Sequence, residues 1–169
     1  MKPIFFFTAL ATASFALAVA LADKPEKADS PVELGTVNWG RDLDEALAKS
    51  KESGKPIFAL FQEVPGCSGC QQFGKQVLSH PVLARLIASE FVPLAIHNNK
   101  PGKDREVLER FKEPAWNYQV VRFFDADAND LIPRRDRVWT LDGIAGRMVK
   151  ALREAGKSVP PELKELAEK

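Results

Sequence analysis

The sequence predicts an α/β fold, a central mixed β-sheet flanked by helices on both faces, and three observations carry that expectation. Residues 57–61, 91–96 and 120–124 are apolar runs too short for buried helices, with few polar interruptions, as strands covered on both faces require. Between them lie segments whose apolar residues recur at helical spacing, the alternation of a sheet layered between helices. Residues 125–130 then make a tight polar turn from the third run into Leu131 and Ile132. A fourth strand antiparallel to the third is therefore expected, and the sheet is mixed.

Composition bounds the function classes. The 169 residues fit one domain. Lys and Arg number 24 and Asp and Glu 23, with no basic block, which argues against nucleic acid or an acidic membrane surface as partner. A content of 45% hydrophobic and 28% charged residues is that of neither a disordered nor a fibrous chain. Two cysteines allow at most one internal bridge, so the fold must rest on its core.

The elements follow in order. Residues 1–22 hold one charge, Lys2, then an apolar run broken by Thr8, Thr12 and Ser14 and ending Ala20-Leu21-Ala22. A charged start, an apolar middle and a small-x-small end describe a signal peptide, cleaved after Ala22, and predict a periplasmic or extracellular protein. The competing reading is a membrane anchor, so contact with a membrane is expected only through an uncleaved N-terminus. Removing residues 1–22 leaves basic and acidic residues equal in number. Residues 23–36, polar and containing Pro25 and Pro31, read as a flexible tether, and residues 37–156 as the folded domain.

Within that domain Leu43, Ala46, Leu47 and Ser50 share a helical face that Gly54 ends. Pro65-Gly66-Cys67-Ser68-Gly69-Cys70 follows the first strand and opens a helix carrying Phe73, Val77 and Leu78. Ser79 or His80 caps the next helix, with Pro81 in its first position and Val82, Leu83, Leu86 and Ile87 on one face. A short helix with Val107, Leu108 and Phe111 separates the second and third strands. Thr140 caps a last long helix with Leu141, Ile144, Met148 and Leu152, stopped at Gly156. Residues 157–169 form a C-terminal tail with a short helix.

The cysteine pair carries the chemistry. Cys67 and Cys70 sit where an apolar strand ends and a helix begins, and a helix N-terminus favours the thiolate, the nucleophilic form of cysteine. A second cysteine one helical turn on faces the first and can resolve a mixed disulfide. Gly66 lets the chain bend out of the strand, and Gly69 removes bulk beside the sulfurs. Three readings stay open: a redox dithiol, a merely stabilising disulfide, and part of a copper or zinc site with His80 or His97. So small a loop stabilises little as a cross-link, and no second cysteine pair completes a zinc site.

Asn38-Trp39, Gly54-Lys55-Pro56, the strand, Cys-Ser-Gly-Cys, Val77-Leu78-Ser79-His80-Pro81-Val82 and Phe91-Val92-Pro93-Leu94 together resemble the thioredoxin superfamily, particularly its exported thioredoxin-like branch. The resemblance is densest over residues 38–97 and reaches about residue 155 at the level of fold. It implies an exported thiol–disulfide oxidoreductase in which Cys67 attacks and Cys70 resolves. Protein thiols or disulfides are its implied substrates, a redox partner resets the pair, and no cofactor is needed. Alternatives from other classes are a metal-handling module and a non-catalytic binding protein of the same fold. Two positions depart from the family pattern. Its cis-proline before the third strand falls at Gln119, the nearest proline being Pro114, and its buried acid six residues before the first cysteine is replaced by Phe61. Glu63 is the nearest acid to the pair. Gly66, Trp116 and Gln119 are the expected substrate groove.

Overall fold

The structure, a computed structural model, describes residues 30–115 and 119–168. The leader, residues 23–29 of the tether, and Trp116 lie outside the described residues. In chain order the elements are α1 (Leu43–Ser53), β1 (Ile57–Gln62), α2 (Ser68–Phe73), α3 (Pro81–Glu90), β2 (Val92–His97), α4 (Lys103–Phe111), β3 (Val120–Phe124), α5 (Leu141–Glu154) and α6 (Pro161–Ala167). A π-helical stretch, Gly74–Leu78, continues α2.

The strands are ordered β2-β1-β3. β1 runs parallel to β2, with Ile57 opposite Val92 and Gln62 opposite His97. It runs antiparallel to β3, with Ile57 opposite Phe124 and Phe61 opposite Val120. Every residue of β1 is buried, because its alternating side chains meet a helical layer on each side. Ile57, Ala59 and Phe61 pack with Leu43 and Ala46 of α1 and Leu108 of α4. Phe58 and Leu60 pack with residues of α2, α3, α5 and α6, and Phe58 stands edge-on to Phe91 and Phe123, with centroids 6.0 and 5.2 Å away. The sequence expectation of a mixed sheet between two helical layers is met.

Local signals set the helix ends. The Asp42 carboxylate accepts from the Asp44 and Glu45 amides at 3.0 and 3.2 Å and starts α1, which stops at Gly54 in the left-handed conformation. His80 Nδ1 accepts from the Leu83 amide at 3.5 Å, with Pro81 opening α3. Thr140 accepts from the Gly143 amide at 3.3 Å and starts α5.

Two expectations are corrected. The fourth strand is reduced to a single antiparallel bridge between Phe124 and Asp130, followed by one hydrogen bond from the Leu131 amide to the Phe123 carbonyl at 2.9 Å. Pro133, two residues on, has no amide hydrogen to extend the ladder. Nor is the tether structureless to residue 36. Val32–Leu34 form a 3₁₀ turn with Glu33 and Leu34 buried. Trp39 Nε1 donates to the Leu34 carbonyl at 2.8 Å and fastens that turn. Gly74 admits it: a Cβ there would lie 2.0 Å from the Val32 carbonyl oxygen. At the other end α6 closes the larger core layer, with Leu163 fully buried.

Candidate functional site: a dithiol at the end of the central strand

β1 delivers the chain to one end of the sheet, where the Val64–Pro65 peptide is cis and the backbone turns through Gly66. Cys67 is the N-cap of α2, and its carbonyl accepts from the Gln71 amide at 3.0 Å. Cys70 lies three residues into the helix, so both sulfurs project to the same side. They are 3.4 Å apart, well beyond the ~2.05 Å of a disulfide, so the pair is in the dithiol form. Cys67 is partly exposed and Cys70 fully buried.

Gly66 is there because nothing larger fits. A Cβ at this position would lie 2.5 Å from the Glu63 carbonyl oxygen, 2.7 Å from Cys70 Cβ and 3.1 Å from Cys70 Sγ. The backbone itself therefore forms one wall of the buried thiol. Gln119 forms another, its Oε1 accepting from Cys70 Sγ at 3.8 Å. Burial pushes the Cys70 thiol up to about 12, reinforced by the hydrogen bond and charge of Cys67 and, more weakly, by the Glu63 carboxylate. The two cysteines are chemically unequal.

The structure brings Cys67, Cys70, Gly66 and Gln119 together, while Trp116 falls outside the described residues. Phe61, where the family pattern has an acid, is a core residue against the α1 and α4 layer. His80 is occupied as the α3 cap. His97, at the end of β2, turns its Nε2 into a buried place with no hydrogen-bond partner among the described residues. No three His, Cys, Asp or Glu side chains converge into a metal-binding group among the described residues.

One residue of the site escapes sequence reasoning altogether. Glu33, in the N-terminal turn and only 3% exposed, accepts from the Gly66 amide through Oε1 at 2.9 Å. Its carbonyl also accepts from Gln62 Nε2. The turn is thereby tied both to the last residue of β1 and to the bend before Cys67. A lone glutamate in a polar stretch gives no periodicity or motif that would have pointed there.

His97 supplies a pH test of this end of the sheet. Burial, and next the Arg41 charge, lower its pKa to about 4 from the ordinary 6.5. Between those values the unfolded chain binds a proton that the folded chain refuses, so this group's stability contribution is complete above pH 6.5 and falls toward pH 4. Urea unfolding at pH 4.5, 5.5 and 7 should show His97→Gln with a flatter pH dependence than wild type. Parallel profiles would mean that His97 titrates normally.

A family model described as thioredoxin-like matches residues 38–126, more than half of the chain. The chain belongs to the thioredoxin-like family. The match runs from before α1 through the turn after β3 and contains both cysteines. Among solved structures, the thioredoxin-like fold is similar to one described as a DsbH oxidoreductase. That structure is 22% identical with a TM-score of 0.55, the match covering 75% of this chain and 89% of that one. A thioredoxin from Thermus thermophilus is 23% identical with a TM-score of 0.47, covering 71% and 87%. The likeness to the DsbH oxidoreductase structure is one of fold. Among curated proteins none matches the sequence. The thioredoxin-like domain thus places two cysteine thiols side by side at the mouth of its central strand.

Proposed function

We propose that the chain is an exported thiol–disulfide oxidoreductase acting on protein thiols or disulfides through Cys67 and Cys70. The observation that carries this reading is the pairing of a partly exposed sulfur with a buried one 3.4 Å away. Export rests on the signal-peptide pattern of residues 1–22. Substrate contact is assigned to the rim of Gly66 and Gln119, with Trp116 as a further candidate.

In the reducing direction the Cys67 thiolate attacks one sulfur of a substrate disulfide. The substrate S–S bond breaks, one substrate sulfur leaves as a thiolate and takes a proton, and a mixed disulfide joins Cys67 to the other. Forming that bond removes the negative charge and the hydrogen bond that Cys67 imposed on Cys70, leaving burial as the main cause of its raised pKa. Cys70 then loses its proton and attacks Cys67 Sγ. The second substrate thiolate leaves, and the pair becomes a disulfide. Two electrons have passed to the substrate, and a redox partner must return them. Run backward, the same steps oxidise a substrate dithiol.

The experiment is a trap. Cys70→Ser keeps the attacking thiol and removes the resolving one, so it should accumulate mixed disulfides with envelope proteins on non-reducing gels, and Cys67→Ser should accumulate none. Recovery of Cys70→Ser only as unmodified monomer, with wild type binding one equivalent of Cu(I) or zinc, would transfer the pair to metal handling.

A further inference from the structure

Arg122 and Arg147 are buried to nearly the same degree, at 7% and 8% exposure, but their surroundings differ. Arg122 is met by two carboxylates, Glu113 and Asp130. Arg147 meets none. Its Nη2 donates to the Pro133 carbonyl at 3.0 Å and its guanidinium lies 5.7 Å from the centre of the Phe123 ring. Its Nε has no hydrogen-bond partner among the described residues. A guanidinium taken this far from water ordinarily meets an anion.

Arg147 forms part of the wall of a cavity of about 520 Å³ between residues 132–135 and one face of α5, with walls separate from those of the dithiol. Lys150 and Arg153 follow Arg147 at three-residue steps on that face, and Arg135 faces them from the loop. None of the four has an ion pair among the described residues. The run Arg134-Arg135-Asp136-Arg137 is compensated only in part by its aspartate. Asp136 is engaged by Arg134 at 2.8 Å, and Arg134 is further held by Glu113 at 2.7 Å. Arg135 is left to the cavity; burial first and then the Arg135 charge disfavour the charge on Arg147, opposed by Asp130. Glu154 is the only acid in the wall. The near-neutral total of the chain conceals this concentration of charge.

We propose that the cavity binds a phosphoryl group, with Arg147 at its floor and Arg135, Lys150 and Arg153 at its rim. Three guanidiniums and an ammonium present more N–H donors than the two oxygens of a carboxylate accept, whereas a terminal phosphoryl has three acceptor oxygens and up to two negative charges. Arg147 Nε supplies a donor already stripped of competing partners. The phosphoryl can arrive on a soluble phosphomonoester or on a lipid headgroup.

The Nε–H group of Arg147 is its own reporter in a ¹⁵N-labelled sample of the protein. Titration with inorganic phosphate, against chloride at equal ionic strength, should shift that resonance saturably. Arg135→Ala and Lys150→Ala, both exposed and safe for folding, should each weaken binding about threefold, and Arg147→Gln about tenfold or more. Thiol–disulfide exchange should be unchanged in the two exposed variants. Phosphoserine and vesicles of phosphatidic acid, each against a phosphate-free or phosphatidylcholine control, separate the two sources; Arg135-dependent binding of either supports the site. No saturation at millimolar phosphate, the same shift with chloride, or full affinity in Arg135→Ala and Lys150→Ala would overturn it.

Discussion

Gly66→Ala is expected to abolish thiol–disulfide exchange and to destabilise the fold by about 1–3 kcal/mol, the range for forcing an extra methyl into a filled place. The new Cβ would meet the Glu63 carbonyl at 2.5 Å and Cys70 Cβ at 2.7 Å, and neither is the loose end of a flexible side chain. Relief requires moving the bend before Cys67 or the buried sulfur, and either movement changes the 3.4 Å spacing on which resolution depends. The bend is also held by the Glu33 carboxylate, so that hydrogen bond is lost as it shifts. Gly146 is the control. A Cβ there meets nothing within 4 Å, and alanine in the middle of α5 should stabilise by roughly 0.5–1 kcal/mol. Urea unfolding together with a thiol-exchange rate tests both. A Gly66→Ala protein with wild-type exchange would show that the reactive geometry lies elsewhere.

The largest loss of stability is expected from Glu113. Its side chain is 1% exposed and bridges Arg122 at 3.0 Å and Arg134 at 2.7 Å. Arg122 lies alongside the stacked Phe111 and Phe124 rings, 5.2 and 5.1 Å from their centres, and cannot swing out to water without breaking that contact. Glu113→Ala leaves it Asp130 as the one carboxylate among the described residues, beside the Phe111 carbonyl. Removing one partner from a buried ionic network typically costs about 3–5 kcal/mol, because the remaining charge stays desolvated. Glu113→Gln, which still accepts hydrogen bonds, should fall between. A Glu113→Ala loss below about 1 kcal/mol would mean that Arg122 finds water or another acid.

Where sequence signals were local, the structure follows them. The helical spacing from Leu43, the ending at Gly54, Pro81 behind a capping His80 and Thr140 before α5 are each decided within a few residues, so nearby chemistry sets them. The cysteine pair was legible for the same reason, since strand end, bend and helix start are contiguous. Counting back from β3 leads to Gln119, whose side chain meets Cys70 because strand length fixes that register. What stayed hidden depends on distant partners. Glu33 acquires its place only when a turn thirty-odd residues upstream packs on the bend before Cys67. Arg122 lies inside a strand, and its acids come from the segment after α4 and the turn after β3. The fourth strand failed for a local reason: Pro133 brings no amide hydrogen where the ladder needs one.

The fastening of the Val32–Leu34 turn decides how this domain responds to tension on its N-terminal side. A pull arriving there meets no sheet ladder. The turn's fastenings include single hydrogen bonds from Trp39 to the Leu34 carbonyl, from Gly66 to the Glu33 carboxylate, from Gln62 to the Glu33 carbonyl and from the Thr36 amide to the Leu78 carbonyl. Few bonds, each loaded singly, make a unit that opens locally well before the global fold does. Peeling it away releases the bend that holds Cys67 before any strand feels the load. Mechanically, the bend before the two cysteines is an early part of the domain to feel a load applied on its N-terminal side.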